Sequence, residues 1–165
     1  CFSFPILFFM TSSVYSHSQK FMEIALSEAE EAAQREEVPV GAVIVDSQTM
    51  RVLAAASNRT EELNDATAHA EMLALREAAK VFGAKRLINC DLYVTLEPCT
   101  MCAAAISMAR IRRLYYGASD LKSGGIENGV KFFSHPSCHH RPEVYSGMNE
   151  LRSKNLLKTF FKSKR

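Results

Sequence analysis

Residues 91–117 read DLYVTLEPCTMCAAAISMARIRRLYYG. Five of the first six are β-branched, aromatic or apolar and predict a strand over Asp91–Leu96. Pro98 can open a helix that runs to about Ala109, because a proline at the first helical position gives up an N–H that has no partner there. Ile111–Gly117 then reads as a second strand. Strand, helix and strand in so short a span predict a parallel pair with a helix laid across it.

The same alternation extends upstream. Ala68–Phe82 is rich in Ala, Leu and Glu, and Gly83 ends it, which predicts a helix. Before it, Val38–Asp46 and Arg51–Ser57 are candidate strands across a short polar turn, and Thr60–Thr67 is loop-like. From Gln19 to Glu36, Met22, Ala25, Leu26, Ala29, Ala32 and Ala33 recur at helical spacing, with Glu23, Glu28, Glu30 and Glu31 mostly on the other face. Downstream, residues 118–141 lack a strong period and predict a long loop or short helices. A short strand at Glu143–Tyr145 and a last helix over Asn149–Lys162 follow. Leu151, Leu156, Leu157, Phe160 and Phe161 are expected to supply the apolar contacts of that helix.

A chain of 165 residues, 47% apolar and 23% charged, is long enough for one domain with its own core. No apolar run approaches the ~20 residues of a membrane helix. Five cysteines, at 1, 90, 99, 102 and 138, form no regular framework, which argues for a reducing, cytoplasmic setting over disulfide staples. Residues 1–18 are expected to be an extension ahead of a single domain over 19–165. The opening CFSFPILFFM has no Lys or Arg, unlike a secretory signal, and Met10 is the expected natural start.

Charge is divided along the chain. Residues 1–83 hold 6 Lys/Arg against 12 Asp/Glu, residues 84–165 hold 14 against 6, and the last 14 residues carry six bases and no acid. A basic tail of this kind suits a polyanion partner such as nucleic acid; the competing reading is a solvated helix end whose lysines favour the dipole.

Two clusters carry chemistry. His69-Ala70-Glu71 stands where one helix is expected to begin, and Pro98-Cys99-Thr100-Met101-Cys102 where the next begins. One imidazole and two thiolates make a three-ligand zinc set with the fourth position open, the pattern of catalytic zinc. Glu71 is then the candidate proton shuttle. A fourth ligand from Cys90, His135, Cys138 or His139 would instead make a structural site, and a redox dithiol would leave the His-Ala-Glu cluster unexplained.

On those residues the chain resembles the zinc-dependent deaminases whose signature is His-x-Glu with Pro-Cys-x-x-Cys. More narrowly it resembles the bacterial tRNA-specific adenosine deaminases. The matching segments include EVPVGAVIV (37–45), DATAHAEMLALREA (65–78), LYVTLEPCTMCAAAI (92–106), YGASDLKSGG (116–125) and LLKTFFKSKR (156–165). The resemblance implies a three-layer α/β/α sandwich on a mixed five-stranded sheet, one Zn2+ per subunit, a homodimer, and conversion of the wobble adenosine in a tRNA anticodon stem-loop to inosine. It implies metal ligands at His69, Cys99 and Cys102, the catalytic acid–base at Glu71, and substrate contacts at Asn58, Asp120, Lys122 and Phe161. Arg110, Arg112 and Arg113 are further candidates for phosphate contact, or else face solvent or acids. Ser134 stands where relatives can carry a second histidine beside His135. The rival activity is deamination of a free base or nucleoside such as guanine or cytosine, which would use the same metal set. A catalytically silent RNA-binding subunit and a zinc-stabilised interaction module are the non-enzymatic alternatives.

Overall fold

The computed structural model describes residues 6–164, with side chains from residue 16 onward. Its elements are α1 (Ile6–Gln34), β1 (Gly41–Asp46), β2 (Arg51–Ser57), α2 (Ala70–Phe82), β3 (Cys90–Leu96), α3 (Thr100–Met108), β4 (Arg113–Ala118), β5 (Glu143–Tyr145) and α4 (Glu150–Ser163), with a 3-10 turn at Phe132–Ser134. The strands form one mixed sheet in the order β2-β1-β3-β4-β5. β1 runs antiparallel to both β2 and β3, whereas β3, β4 and β5 are parallel.

Strand residues alternate faces, and the two faces bury different helices. Ala42, Ile44, Leu92, Val94, Leu114 and Tyr116 join the α2 residues Ala70, Ala74, Leu75 and Ala78 and the α3 residues Ala103 and Ile106 in one core. Val43, Val45, Tyr93 and Tyr115 face the other way, onto Phe21, Met22, Ala25 and Leu26 of α1, with Leu156 of α4 against them. The result is the expected three-layer α/β/α sandwich.

The register decides where function can gather. Gly41 pairs with Ser57 and Ala42 with Val94, so the start of β1 lies beside the ends of β2 and β3. Leu96 pairs with Ala118, bringing the end of β4 to the same edge. Segments leaving β2, β3 and β4 therefore emerge together, at the carboxyl ends where open α/β sheets place their ligands.

Several boundaries differ from expectation. α1 begins at Ile6 rather than near Gln19, and Ser18 is buried with its hydroxyl 3.2 Å from that of Tyr93. Part of the expected extension is thus helical; residues 1–5 lie outside the described residues. Pro98 does not open α3, which starts at Thr100, because the Pro98 carbonyl accepts from the Gly125 amide (2.8 Å) instead of a helical donor. α2 ends as read, with Gly83 at φ 71°, a left-handed cap that favours glycine. In α4, Leu151 is 73% exposed and Phe161 (51%) packs its ring on Phe160 (centroids 5.3 Å apart), so the contact with the sheet-side core falls to Leu156.

Candidate active site

Asp65 Oδ1 accepts from both the amide and the hydroxyl of Thr67 (2.8 Å each), and the Ala68 amide donates to the Asp65 carbonyl (3.0 Å). This turn delivers His69 to the N-cap of α2 in an extended conformation. Cys99 is the N-cap of α3, also extended, and Cys102 lies in the first turn. Both N-cap carbonyls accept the first helical bonds, from Leu73 (3.0 Å) and Ala103 (2.8 Å), while neither side chain caps its own helix. The side chains turn toward each other instead.

His69 Nδ1 lies 3.7 Å from Cys99 Sγ and 3.5 Å from Cys102 Sγ. Tetrahedral zinc, with Zn–S near ~2.3 Å and Zn–N near ~2.0 Å, requires N-to-S edges of roughly 3.5 Å. The three donor atoms lie within 4.8 Å of one another and form a group able to hold a metal ion. With two soft thiols and an imidazole, the set suits zinc. None of Cys90, His135, Cys138 or His139 joins the group among the described residues. Cys138 is held by Ser107 and the His140 carbonyl, and burial pushes the Cys90 thiol up to about 11.

The hydrogen bond with Cys102, with help from His69, lowers the Cys99 thiol to about 4, and the same bond, with burial, keeps Cys102 protonated. The Cys99 thiolate in turn raises the His69 imidazole. Glu71 is only 4% exposed, with its carboxyl beside Cys102. Burial lifts that carboxyl above the ordinary carboxylate range.

Asn58 is buried beside this turn, and the Arg59 amide bonds the Ala68 carbonyl (3.0 Å), so the 58–59 segment is stitched to the residue before His69. Two acids whose burial sequence reasoning missed stand around the site. Glu37, 1% exposed, accepts from Asn58 Nδ2 (3.3 Å), the Thr60 hydroxyl (3.3 Å) and the Glu62 amide (2.8 Å). Since a carboxylate only accepts, the Asn58 NH2 must face it. Glu97, 2% exposed, accepts from the loop after β4. Burial raises its carboxyl, but the Asn128 and loop amide bonds outweigh that and hold it below the ordinary range. Only the position of Glu97 beside the Pro-Cys motif hinted at it; nothing local separates Glu37 from exposed Glu36.

Asp120 and Lys122 sit on the loop leaving β4 at the same sheet edge, with Leu121, Lys122 and Ser123 exposed. Gly124 forms a bridge with Cys99. An added Cβ at Gly125 would lie 2.7 Å from the Thr100 amide nitrogen, so the loop packs directly on the metal-ligand turn. Phe161 is exposed near the end of α4, and Lys164 pairs with Glu36 (3.4 Å), bringing that end toward Glu37 and Asn58.

The arginine candidates are held within the fold. Arg112 grips Asp91 through two bonds (2.6 and 2.9 Å), Arg113 pairs with Glu143 (2.8 Å), and Arg110 donates to the His139 carbonyl (3.1 Å). In the tail, Arg152 pairs with Glu23 and Glu30, and Lys154 with Glu150. Among the described tail residues, Lys158 and Lys162 make no ion pair.

Comparison with known proteins agrees with this geometry. Residues 15–118, which span the three donors and Glu71, match the model of the cytidine and deoxycytidylate deaminase zinc-binding region. The chain is 61% identical over 145 residues to a tRNA-specific adenosine deaminase of Agrobacterium fabrum, covering 88% of this chain and 94% of that one. It is 50% identical over 141 residues to a tRNA-specific adenosine deaminase of Rickettsia bellii, covering 86% and 97%. A solved structure from a study of A-to-I editing by tRNA:A34 deaminases at the wobble position superposes with a TM-score of 0.81 at 61% identity, over 84% of this chain and 99% of that one.

Proposed function

Because this chain belongs to the tRNA-specific adenosine deaminases, we propose that it hydrolyses the wobble adenosine of a tRNA anticodon to inosine and ammonia. The observation that carries the reading is the His69–Cys99–Cys102 triangle with a buried carboxyl against it. His69, Cys99 and Cys102 hold zinc, which when bound supplies Lewis-acid activation of the attacking water. Glu71 accepts a proton from that water and delivers it to adenine N1 as oxygen bonds to C6. The remaining proton of that water, now on the C6 hydroxyl, passes through Glu71 to N6; the C6–N6 bond breaks as the C6 carbonyl forms, and ammonia leaves.

Asn58, fixed by Glu37, contacts the flipped nucleotide. Asp120, Lys122 and Phe161 face the anticodon loop. A base already in a single-stranded loop costs least to unstack, and the exposed Phe161 offers it or a neighbour an aromatic surface. The chain acts as a cytoplasmic homodimer with one zinc per subunit; Met108, the last residue of α3, is 78% exposed and suits a covered surface. No helix among the described residues is long and apolar enough to cross a membrane.

The test is inosine formation in an adenosine-34 stem-loop, with free adenosine, cytidine, guanine and cytosine run in parallel. Inosine from the stem-loop alone is expected. Turnover of a free base or nucleoside in its place would retain the metal chemistry and overturn the RNA assignment.

Phosphate contacts also give a salt dependence. Each neutralised phosphate of a single strand contributes a log–log slope near about −0.7. Replacing Lys158 and Lys162 together with Gln is expected to make the slope of stem-loop affinity against salt shallower by about 1.4. An unchanged slope would leave those lysines as solvated helix residues.

A further inference from the structure

Glu97 is buried immediately before the metal-ligand turn, yet its carboxylate serves a different segment. Oε1 accepts from the amides of Ile126 (3.2 Å), Glu127 (2.9 Å) and Asn128 (2.9 Å). Oε2 accepts from the Asp120 amide (2.9 Å) and Asn128 Nδ2 (2.6 Å). All five donors lie between Asp120 and Asn128. A buried carboxylate is tolerated only when its lone pairs are met, and here one loop meets them all.

The loop is anchored to the metal turn at other points too. The Gly125 amide donates to the Pro98 carbonyl (2.8 Å), and Gly124 forms a bridge with Cys99. Beyond these anchors the loop projects outward. Asp120 Oδ1 accepts from the amides of Lys122 and Ser123 (3.0 Å each), making a tight turn whose tip residue Leu121 is 84% exposed. One limb of this turn hangs from Oε2 and the other from Oε1.

We propose that Glu97 is a positioning residue for RNA recognition: it fixes the Asp120–Asn128 loop on the metal-ligand turn, so that the exposed tip at Leu121–Ser123 is presented to the substrate strand in register with the site. The proposal rests on the reading of the substrate as a tRNA stem-loop. Glu97 touches neither metal nor base, so its effect belongs in RNA affinity and not in the chemical step.

Glu97→Gln separates the two limbs. The amide oxygen can still serve the three backbone donors, but the new NH2 faces the Asp120 amide and Asn128 Nδ2, donor against donor. For the zinc-loaded full chain, the Kd for a labelled adenosine-34 stem-loop is expected to rise about tenfold. Zinc content should be unchanged, and the single-turnover rate at saturating RNA should stay within about threefold. Adding Asn128→Asp places an acceptor opposite the new NH2, and the double variant is expected to recover most of the lost affinity.

An unchanged Kd, loss of zinc, a fall in saturated rate with Kd intact, or a double variant no tighter than the single one would each overturn the proposal. Should Glu97→Gln fail to fold, Asn128→Ala removes one donor only; it is expected to weaken binding about threefold, and an unaltered Kd there overturns the proposal. A wild-type chain that binds no stem-loop overturns the substrate reading and this proposal with it. Wild-type binding beside an unaffected Glu97→Gln overturns this proposal alone.

Discussion

Glu71→Gln is expected to keep one zinc per chain and to lose at least about 10³-fold in inosine formation. The substitution preserves volume in a position that is 4% exposed, so the packing around the first turn of α2 has no reason to change. An amide, however, cannot take a proton from water or return one to N1. General acid–base catalysis contributes roughly 10²–10⁴-fold at a single step. In the proposed reaction one carboxyl serves both attack and ammonia loss, which places the expected loss toward the upper end. The measurement is single-turnover inosine formation with saturating stem-loop, alongside zinc content by metal analysis. A variant within tenfold of wild type would remove Glu71 from the chemistry. A variant that lost its zinc would instead make the carboxyl a metal ligand, contrary to its position beside Cys102 and outside the His69–Cys99–Cys102 group.

The parts of this protein legible in sequence are those where chemistry and period coincide. The apolar spacing of Met22, Ala25, Leu26, Ala29 and Ala32 shows a buried helix face whatever the partner, and all five are buried. The β3–α3–β4 unit is legible because a β-rich run, an alanine-rich run and a second β-rich run follow one another, although the proline between the first two misplaces the helix start by two residues. The metal donors are legible because Cys99 and Cys102 have helix-turn spacing and His69 stands at another helix start.

What stays hidden is long-range. Nothing in EEVPVG tells Glu36, which is exposed, from Glu37, which is buried under Asn58. The difference arises only when the turn after α1 folds against residues 58–62. Likewise the register that brings Ser57, Gly41 and Leu96 to one edge is a property of pairing, not of any single strand. The basic residues show the same limit. Arg112 and Arg113 read either as phosphate contacts or as partners of acids, and the choice falls to cross-strand pairing, which supplies Asp91 and Glu143. The unpaired lysines of α4 remain available because the acids of α1 reach Arg152 and Lys164 instead.

Cys102→Ser is expected to abolish zinc retention and turnover together, and to remove the stabilisation that zinc gives the fold. Cys102 is fully buried in the first turn of α3, 3.5 Å from His69 Nδ1. Serine fits the space, but its hydroxyl is a poor anionic ligand at neutral pH, and two remaining donors hold zinc far more weakly than three. Because the donor set spans two helix starts that meet only in the folded chain, zinc binds the native state preferentially. Ligand present at 100 times its Kd stabilises by about 2.7 kcal/mol. Wild-type protein should therefore melt at a lower temperature after chelation, whereas the variant should melt at the same temperature with and without chelator. Cys138→Ser is the matched control: its thiol is also buried, but it bonds Ser107 and the His140 carbonyl and lies outside the donor group. That variant should keep its zinc, its chelator response and its activity. Equal zinc loss in both variants would mean that any buried cysteine change disrupts the domain. Retention of zinc and turnover by Cys102→Ser would place the metal elsewhere. The expected pattern, loss in one and retention in the other, follows from a helix that offers its first-turn thiol to a histidine thirty-three residues earlier.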